Sequence, residues 1–214
     1  MIEQTTLSNG IRVVTERMEH MRSVALGVWV NAGSVFENAR DAGVSHFVEH
    51  MLFKGTETRS ASDIAAQMDA LGGNLNAFTA KECTCFHVKV LDEDLETAVE
   101  ILSDIVLHST IDSEELEKER SVVLEELAMT EDSPEDVVFD RACAALFCGT
   151  PLESEILGTA ETVGSMRRED LIAYMARHYT TENIVLSAAG SFDPKTLIPL
   201  LERCFSGAEA GIDR

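Results

Sequence analysis

No run of apolar residues in this sequence approaches the roughly 20 that a helix needs to cross a bilayer. The first residues, MIEQTTLSNGIRVV, carry neither a basic leader nor an apolar stretch behind it, so they do not read as a secretory signal. A soluble, cytoplasmic chain without a membrane span is the expectation. Basic residues are also scarce, with 17 Lys and Arg against 38 Asp and Glu and a formal net charge of −21. That balance argues against a nucleic-acid partner, because phosphate backbones are held by Lys and Arg gathered on one face. Cysteines number five, an odd count without the spacing of a disulfide scaffold. Reduced thiols are expected, and Cys83 and Cys85 form a C-x-C pair too isolated to be a metal knuckle. Internal repeats, low-complexity tracts and long linkers are lacking too.

What is present is enough for one sizeable core: 214 residues, of which 45% are apolar. One domain over residues 1–214 is expected. Acidic residues concentrate between Leu91 and Asp136, where 17 of them face only Lys118 and Arg120, a local charge of −15 (17 acidic less 2 basic). Such a stretch is either a solvated acidic surface or a field that draws cationic peptides, so basic partners are favoured.

Hydrophobic periodicity alternates between strand and helix. TTLSNGIRVVTERM reads as strand, tight turn at Asn9-Gly10, strand, and SVALGVWVNAGS as a further strand. Gly43 to Lys54 reads as a buried helix stopped by Gly55, followed by a helix from about Ser62 to Leu71 ending at Gly72-Gly73. LNAFTAKECTCFHVKVL alternates, with Thr84, Phe86, Val88 and Val90 on one face and Cys85, His87 and Lys89 on the other. Asp92 is placed as the cap of a helix carrying Leu95, Val99, Leu102, Ile105 and Val106, and another helix starts near Asp112. Ser133-Pro134, Ser165 and Asp193-Pro194 signal helices reaching about Phe147, Arg177 and Cys204, and Asn183 to Ser191 reads as a strand. The expected fold is α+β, with a mixed or antiparallel sheet.

The segment SHFVEHMLF, residues 45–53, sets three ionisable residues inside an otherwise apolar helix, and burying them needs a reason. At about 100° per residue, with His46 at 0°, Glu49 falls near 300° and His50 near 40°, while Val44, Phe47, Val48, Met51 and Leu52 span about 100–240°. Two imidazoles at i and i+4 can converge on one ion, leaving the carboxylate beside them to take a proton from water. H-x-x-E-H is the inverted form of the H-E-x-x-H motif. A catalytic zinc normally has a third protein ligand. On the helix from Asp112 to Met129, Leu116, Val123 and Leu127 mark the inward stripe, and Glu119 and Glu126 fall on or beside it. Spacing alone leaves Glu119, Glu125 and Glu126 open as the ligand; the one that is not could orient a histidine from behind. His20, His87, His108 and His178 are isolated and are given no role.

HFVEHMLFKGT, ERSVVLEELAMTEDSPEDVVFD and ILGTAETV resemble the pitrilysin-type zinc metallopeptidases, above all the branch of the mitochondrial processing peptidases and their bacterial relatives. The resemblance implies a largely antiparallel sheet flanked by helices, like the metallohydrolase domain of processing peptidases, and one Zn2+ per chain. It places the third ligand at Glu126 beside His46 and His50, makes Glu49 the general base, and implicates Glu119 in activity. It also implies that a peptide adds as a strand beside GGNLNAFTAKECT, through Asn76, Ala77 and Phe78. Full members resemble two such halves enclosing a chamber, the second supplying an Arg and a Tyr. The chain is therefore expected to be the catalytic half of a two-half endopeptidase, a fragment or a subunit that works with a homologous partner. Two other readings compete. An S-ribosylhomocysteine lyase shares the inverted motif but completes its site with a histidine, against which the glutamate-bearing helix speaks. A non-catalytic core-protein scaffold would typically have lost motif residues that are intact here. Thr181 departs from the family, where proline is common, outside the candidate site.

Overall fold

A computed structural model of the chain describes residues 1–211. Asn9-Gly10 reverses the chain, Gly10 taking φ 97°, and β1 (Ile2–Thr6) pairs antiparallel with β2 (Arg12–Arg17). With β3 (Ser23–Val30), β4 (Asn74–Thr79), β5 (Thr84–Leu91) and β6 (Ile184–Gly190) they form a six-stranded sheet in the order β1-β2-β6-β3-β5-β4. Only the β2–β6 pairing is parallel, so the sheet is mixed and largely antiparallel. The fold is α+β, as the alternating periodicities predict. The segment LNAFTAKECTCFHVKVL is two strands rather than one, β4 and β5 folding back on each other through the turn at residues 80–83.

Period-2 patterning puts Val24, Leu26, Val28, Phe86, Val88, Ile184 and Leu186 on one buried face, where they join a core with helices α1 (Val44–Leu52) and α3 (Leu95–Leu107). Phe47, Met51 and Leu52 of α1 are fully buried, each contributing roughly 1.5–3 kcal/mol by burial. The other sheet face stays exposed at Ala25, Trp29, Lys89 and Ala189. The remaining helices are α2 (Ala61–Ala70), α4 (Ser113–Glu131), α5 (Pro134–Leu146), α6 (Ala160–Ser165), α7 (Arg168–His178) and α8 (Pro194–Cys204). Ser133 and Asp193 cap α5 and α8 with their side chains, as expected from sequence, and Asp112, near which a helix is expected to start, caps α4.

Two expected caps are overturned. Asp92 does not cap α3: it begins a 3-10 turn, and its carboxylate accepts instead from Ser191 Oγ at 2.9 Å and Arg22 Nε at 3.2 Å, tying the ends of β6 and β3 together. Ser165 ends α6 and starts nothing; α6 begins at a Thr159/Thr162 capping box, and α7 begins after Arg167, whose N–H is received by Asp170 at 2.8 Å. Among the described residues no helix is long and apolar enough to cross a membrane, and all five cysteines are free thiols.

Candidate metal centre

Helix α1 starts without a cap of its own, because Gly43 stands at its N-cap position. The carboxylate of Glu37 substitutes, accepting from Gly43 N at 2.7 Å, Ser45 N at 2.8 Å and Ser45 Oγ at 2.5 Å. An anion there suits the positive end of the helix dipole. Burial pushes the Glu37 carboxyl up, against the pull of these hydrogen bonds. Ser45 Oγ also meets Tyr174 Oη of α7 at 2.7 Å, which anchors the first turn from a second side. Gly43 (φ 92°) has no room for a side chain, since a Cβ would lie 2.6 Å from Leu157 O. The loop before α6 is thereby locked against the start of α1, and Thr162 Oγ1 donates to Ala42 O at 2.7 Å.

On the opposite face of α1 from its apolar stripe, His46 and His50 point their Nε2 atoms at each other, 3.2 Å apart. Glu126 Oε2 of α4 lies 3.3 Å from His50 Nε2 and 3.7 Å from His46 Nε2. These three residues are a group of donors that could hold one ion. Nitrogen and oxygen donors about 2.0–2.1 Å from a tetrahedral zinc are about 3.3–3.4 Å apart, so the spacing fits that ion. Burial, and then the neighbouring His50, lower the His46 pKa to about 4, so its imidazole is neutral and available at neutral pH. His46 Nδ1 is buried without a hydrogen-bond partner.

Glu119 lies behind the donors. It is buried, receives His50 Nδ1 at 2.8 Å and pairs with Lys54 Nζ at 2.6 Å. A carboxylate on the far nitrogen fixes the tautomer that leaves Nε2 free. The neighbouring Arg120 fixes the helix that carries both glutamates: its guanidinium donates to Val163 O and to Met166 O at the end of α6 and sits 5.7 Å over the Phe47 ring. Glu49 stands apart from the three donors, with Oε2 accepting from Thr79 Oγ1 at 2.5 Å. Burial pushes its carboxyl up, while the Thr79 hydrogen bond and the His50 charge pull it down.

His46, Glu49 and Glu126 line a cleft of about 800 Å3, with Ala77, Phe78 and Thr79 of the edge strand β4 on one side. Glu131, Asp136, Asp140 and Glu155 line it too, with Arg141 the only basic residue among its lining residues. Asn76 lies on β4 outside the lining, and its Oδ1 accepts from Ala77 N at 2.9 Å. A wider groove of about 1140 Å3 runs along α8, but its Arg203 is paired with Glu96 and Glu100, and it holds none of His46, Glu49, His50, Glu119 and Glu126. Sequence reasoning missed Glu37, Lys54, Thr79, Arg120 and Tyr174. The lysine that follows the apolar 44–52 run was the available signal for Lys54; nothing local marks Glu37, Thr79 or Tyr174.

Comparison with known proteins points in one direction. A family model described as Insulinase (Peptidase family M16) matches residues 12–160, and one described as Peptidase M16 inactive domain matches residues 165–212. The uncharacterized zinc protease YmxG of Bacillus subtilis is 45% identical over 210 residues, 98% of this chain and 51% of the relative. An uncharacterized zinc protease of Mycobacterium leprae is 48% identical over 202 residues, covering 94% of this chain and 45% of the relative. The chain thus spans about half the length of the curated relatives it matches. Among solved structures, a protease from Helicobacter pylori superposes with a TM-score of 0.94 at 22% identity, over all of this chain and 52% of that one. A peptidase M16 inactive domain from Pseudomonas fluorescens gives 0.91 at 16% identity, over all of this chain and 53% of that one. The same fold therefore occurs in a domain described as inactive, and what this chain does rests on its donor residues.

Proposed function

This chain belongs to the M16 peptidase family, and from that premise we propose that it is the metal-bearing part of a zinc-dependent endopeptidase acting on peptides or unfolded segments. The observation that carries the proposal is the convergence of His46, His50 and Glu126 at the spacing of tetrahedral zinc ligands. One zinc per chain, when bound, would supply Lewis acidity, polarising the scissile carbonyl and making water a better nucleophile. Glu49 takes the proton of the attacking water and returns it to the leaving amine. Glu119 holds His50 in the tautomer that presents Nε2. Intact donors and base separate this reading from that of a scaffold.

The peptide is proposed to extend the sheet at β4, along Asn76, Ala77 and Phe78. Supporting this, β4 is an edge strand of the sheet and Ala77 N–H donates to its neighbour's side chain, Asn76 Oδ1, which a peptide carbonyl can replace. The acidic wall of the cleft favours basic side chains in the peptide, in a salt-sensitive way. A second half-domain or homologous subunit is proposed to close the chamber and hold the substrate, so this chain alone turns over poorly: chemistry without orientation forfeits several kcal/mol.

Metal analysis and peptide hydrolysis test the proposal together. Glu49→Gln should keep zinc and lose at least about 10²-fold in rate in the complete enzyme. A Glu49→Gln protein that hydrolyses like the parent, or a Glu126→Gln protein that keeps stoichiometric zinc with unchanged affinity, would overturn it.

A further inference from the structure

We infer that Thr79 is a positioning residue for hydrolysis: through its hydroxyl, the β4–β5 hairpin sets the Glu49 carboxylate, so the strand proposed to take the peptide also aims the base. The inference rests on the proposed peptidase reading and adds to it a residue outside the metal motif.

Thr79 Oγ1 donates to Glu49 Oε2 at 2.5 Å, which commits one carboxylate oxygen and leaves the other for the proton of water. The glutamate side chain has three rotatable bonds, and keeping it in one rotamer opposes a substantial side-chain entropy. No other hydrogen bond to Glu49 stands among the described side-chain bonds, so Thr79 is its fixed point.

That point is fixed in turn by the hairpin. Thr79 is the last residue of β4 and lies opposite Thr84 of β5, whose hydroxyl donates to Ala32 O at 2.9 Å in the buried interior. The turn between them is closed by Ala80 N to Cys83 O at 2.8 Å. Lys81 is held twice, its carbonyl by Val35 N at 2.9 Å and its ammonium by Ser154 O at 2.8 Å. Gly33 packs so closely under the turn that a Cβ there would strike the carbonyl oxygens of both Ala80 and Lys81. A short turn anchored from two other segments of the chain, residues 32–35 and Ser154, is a rigid mount. Pairing a peptide along β4 would stiffen it further, which couples substrate docking to the alignment of the base.

Thr79→Val removes the hydroxyl at nearly constant volume, and Thr79→Ser keeps it. In the zinc-loaded, catalytically complete protein, Thr79→Val is expected to lower kcat by about 10- to 100-fold, as when a hydrogen bond to a charged group is removed, with KM within about twofold and zinc content unchanged. Thr79→Ser should restore kcat to within about threefold of the parent, which a packing role alone would not do. Equal loss in both variants, or parent-like kcat in Thr79→Val, overturns the inference. Thr79→Ala replaces Thr79→Val if the latter fails to fold. A crystal structure of the variant reads the same point without turnover: a Glu49 carboxylate unmoved by loss of the hydroxyl overturns it. Glu49→Gln separates the two levels. If that variant is inactive while Thr79→Val is not, only the role of Thr79 falls; if Glu49→Gln is active, the base assignment falls first.

Discussion

Gly43 and Gly158 meet backbone to backbone at the start of helix α1, both in the left-handed region, with φ 92° and 72°. A Cβ on Gly158 would run into the Ala42 carbonyl. Gly158→Ala should therefore destabilise the chain by at least the roughly 1–3 kcal/mol of a strained non-glycine conformation. It should also weaken zinc binding, because the first turn of α1 must shift to make room. Urea unfolding with and without zinc measures both, and a parent-like midpoint would show that the loops can part without cost.

Removing the carboxylate behind His50 should reduce affinity without abolishing the site. Glu119→Gln is expected to lower zinc affinity by about 10- to 100-fold, the usual effect of losing such a partner. Glu126→Gln should cost more, since it removes a donor. Competition against a chelating dye ranks the two, and the reverse order would make Glu119 the ligand.

The metal-free chain should lose stability as pH falls from about 6.5 to about 4. His46 has its pKa lowered to about 4 by burial, so in that window the unfolded chain binds a proton that the folded chain refuses. Stability therefore rises with pH across it, by up to about 3 kcal/mol for this one group. Glu37 and Glu49 are raised and act in the opposite sense above the ordinary carboxylate range. Comparing urea midpoints of parent and His46→Asn at pH 7 and 5, with chelator present, isolates the histidine. The variant should show the weaker loss on acidification, and identical losses would contradict the prediction.

Ile111 is the one non-glycine residue with positive φ, 43°, among the described residues, and it stands just before the cap of α4. Arg168 holds it there, donating to Ile111 O at 2.7 Å and Thr110 O at 2.9 Å. Arg168→Ala should cost roughly 1–3 kcal/mol by leaving those carbonyls without a charged donor. Hydrogen exchange should show the loss in the first turn of α4, ahead of the turns carrying Glu119 and Glu126. Unchanged protection there would mean that α4 is set by its packing alone.

Much of this fold is legible in the sequence where one local signal decides the outcome. Asn9-Gly10 makes a hairpin, Ser133-Pro134 and Asp193-Pro194 start helices, and the apolar face of residues 44–52 puts His46, Glu49 and His50 on a common side. Asp92 and Ser165 misled because a carboxylate or hydroxyl can serve several acceptors or donors, and tertiary partners settled the choice. The Ser191 and Arg22 side chains claimed Asp92. Glu119 and Glu126 could be narrowed to a helix face but not told apart, since only the approach of α4 to α1 makes one reach Nδ1 and the other Nε2 of the same histidine. Glu37 and Thr79 act on α1 across chain distances that no periodicity encodes.

Strand β6 enters the sheet between β2 and β3, pairing Arg12 with Val185 and Val24 with Gly190. The two early strands are thus neighbours only through a segment made some 170 positions later, and a ribosome must finish that segment before the sheet can become continuous. Until then β2 and β3 present bare edges, the kind of surface on which nascent chains aggregate or recruit chaperones. High contact order of this type slows folding, so the step that sets the refolding rate should be insertion of β6. The candidate metal donors His46, His50 and Glu126 all precede that strand in the chain, and helix α1, which carries two of them, gains its full sheet backing only once residues 184–190 have emerged.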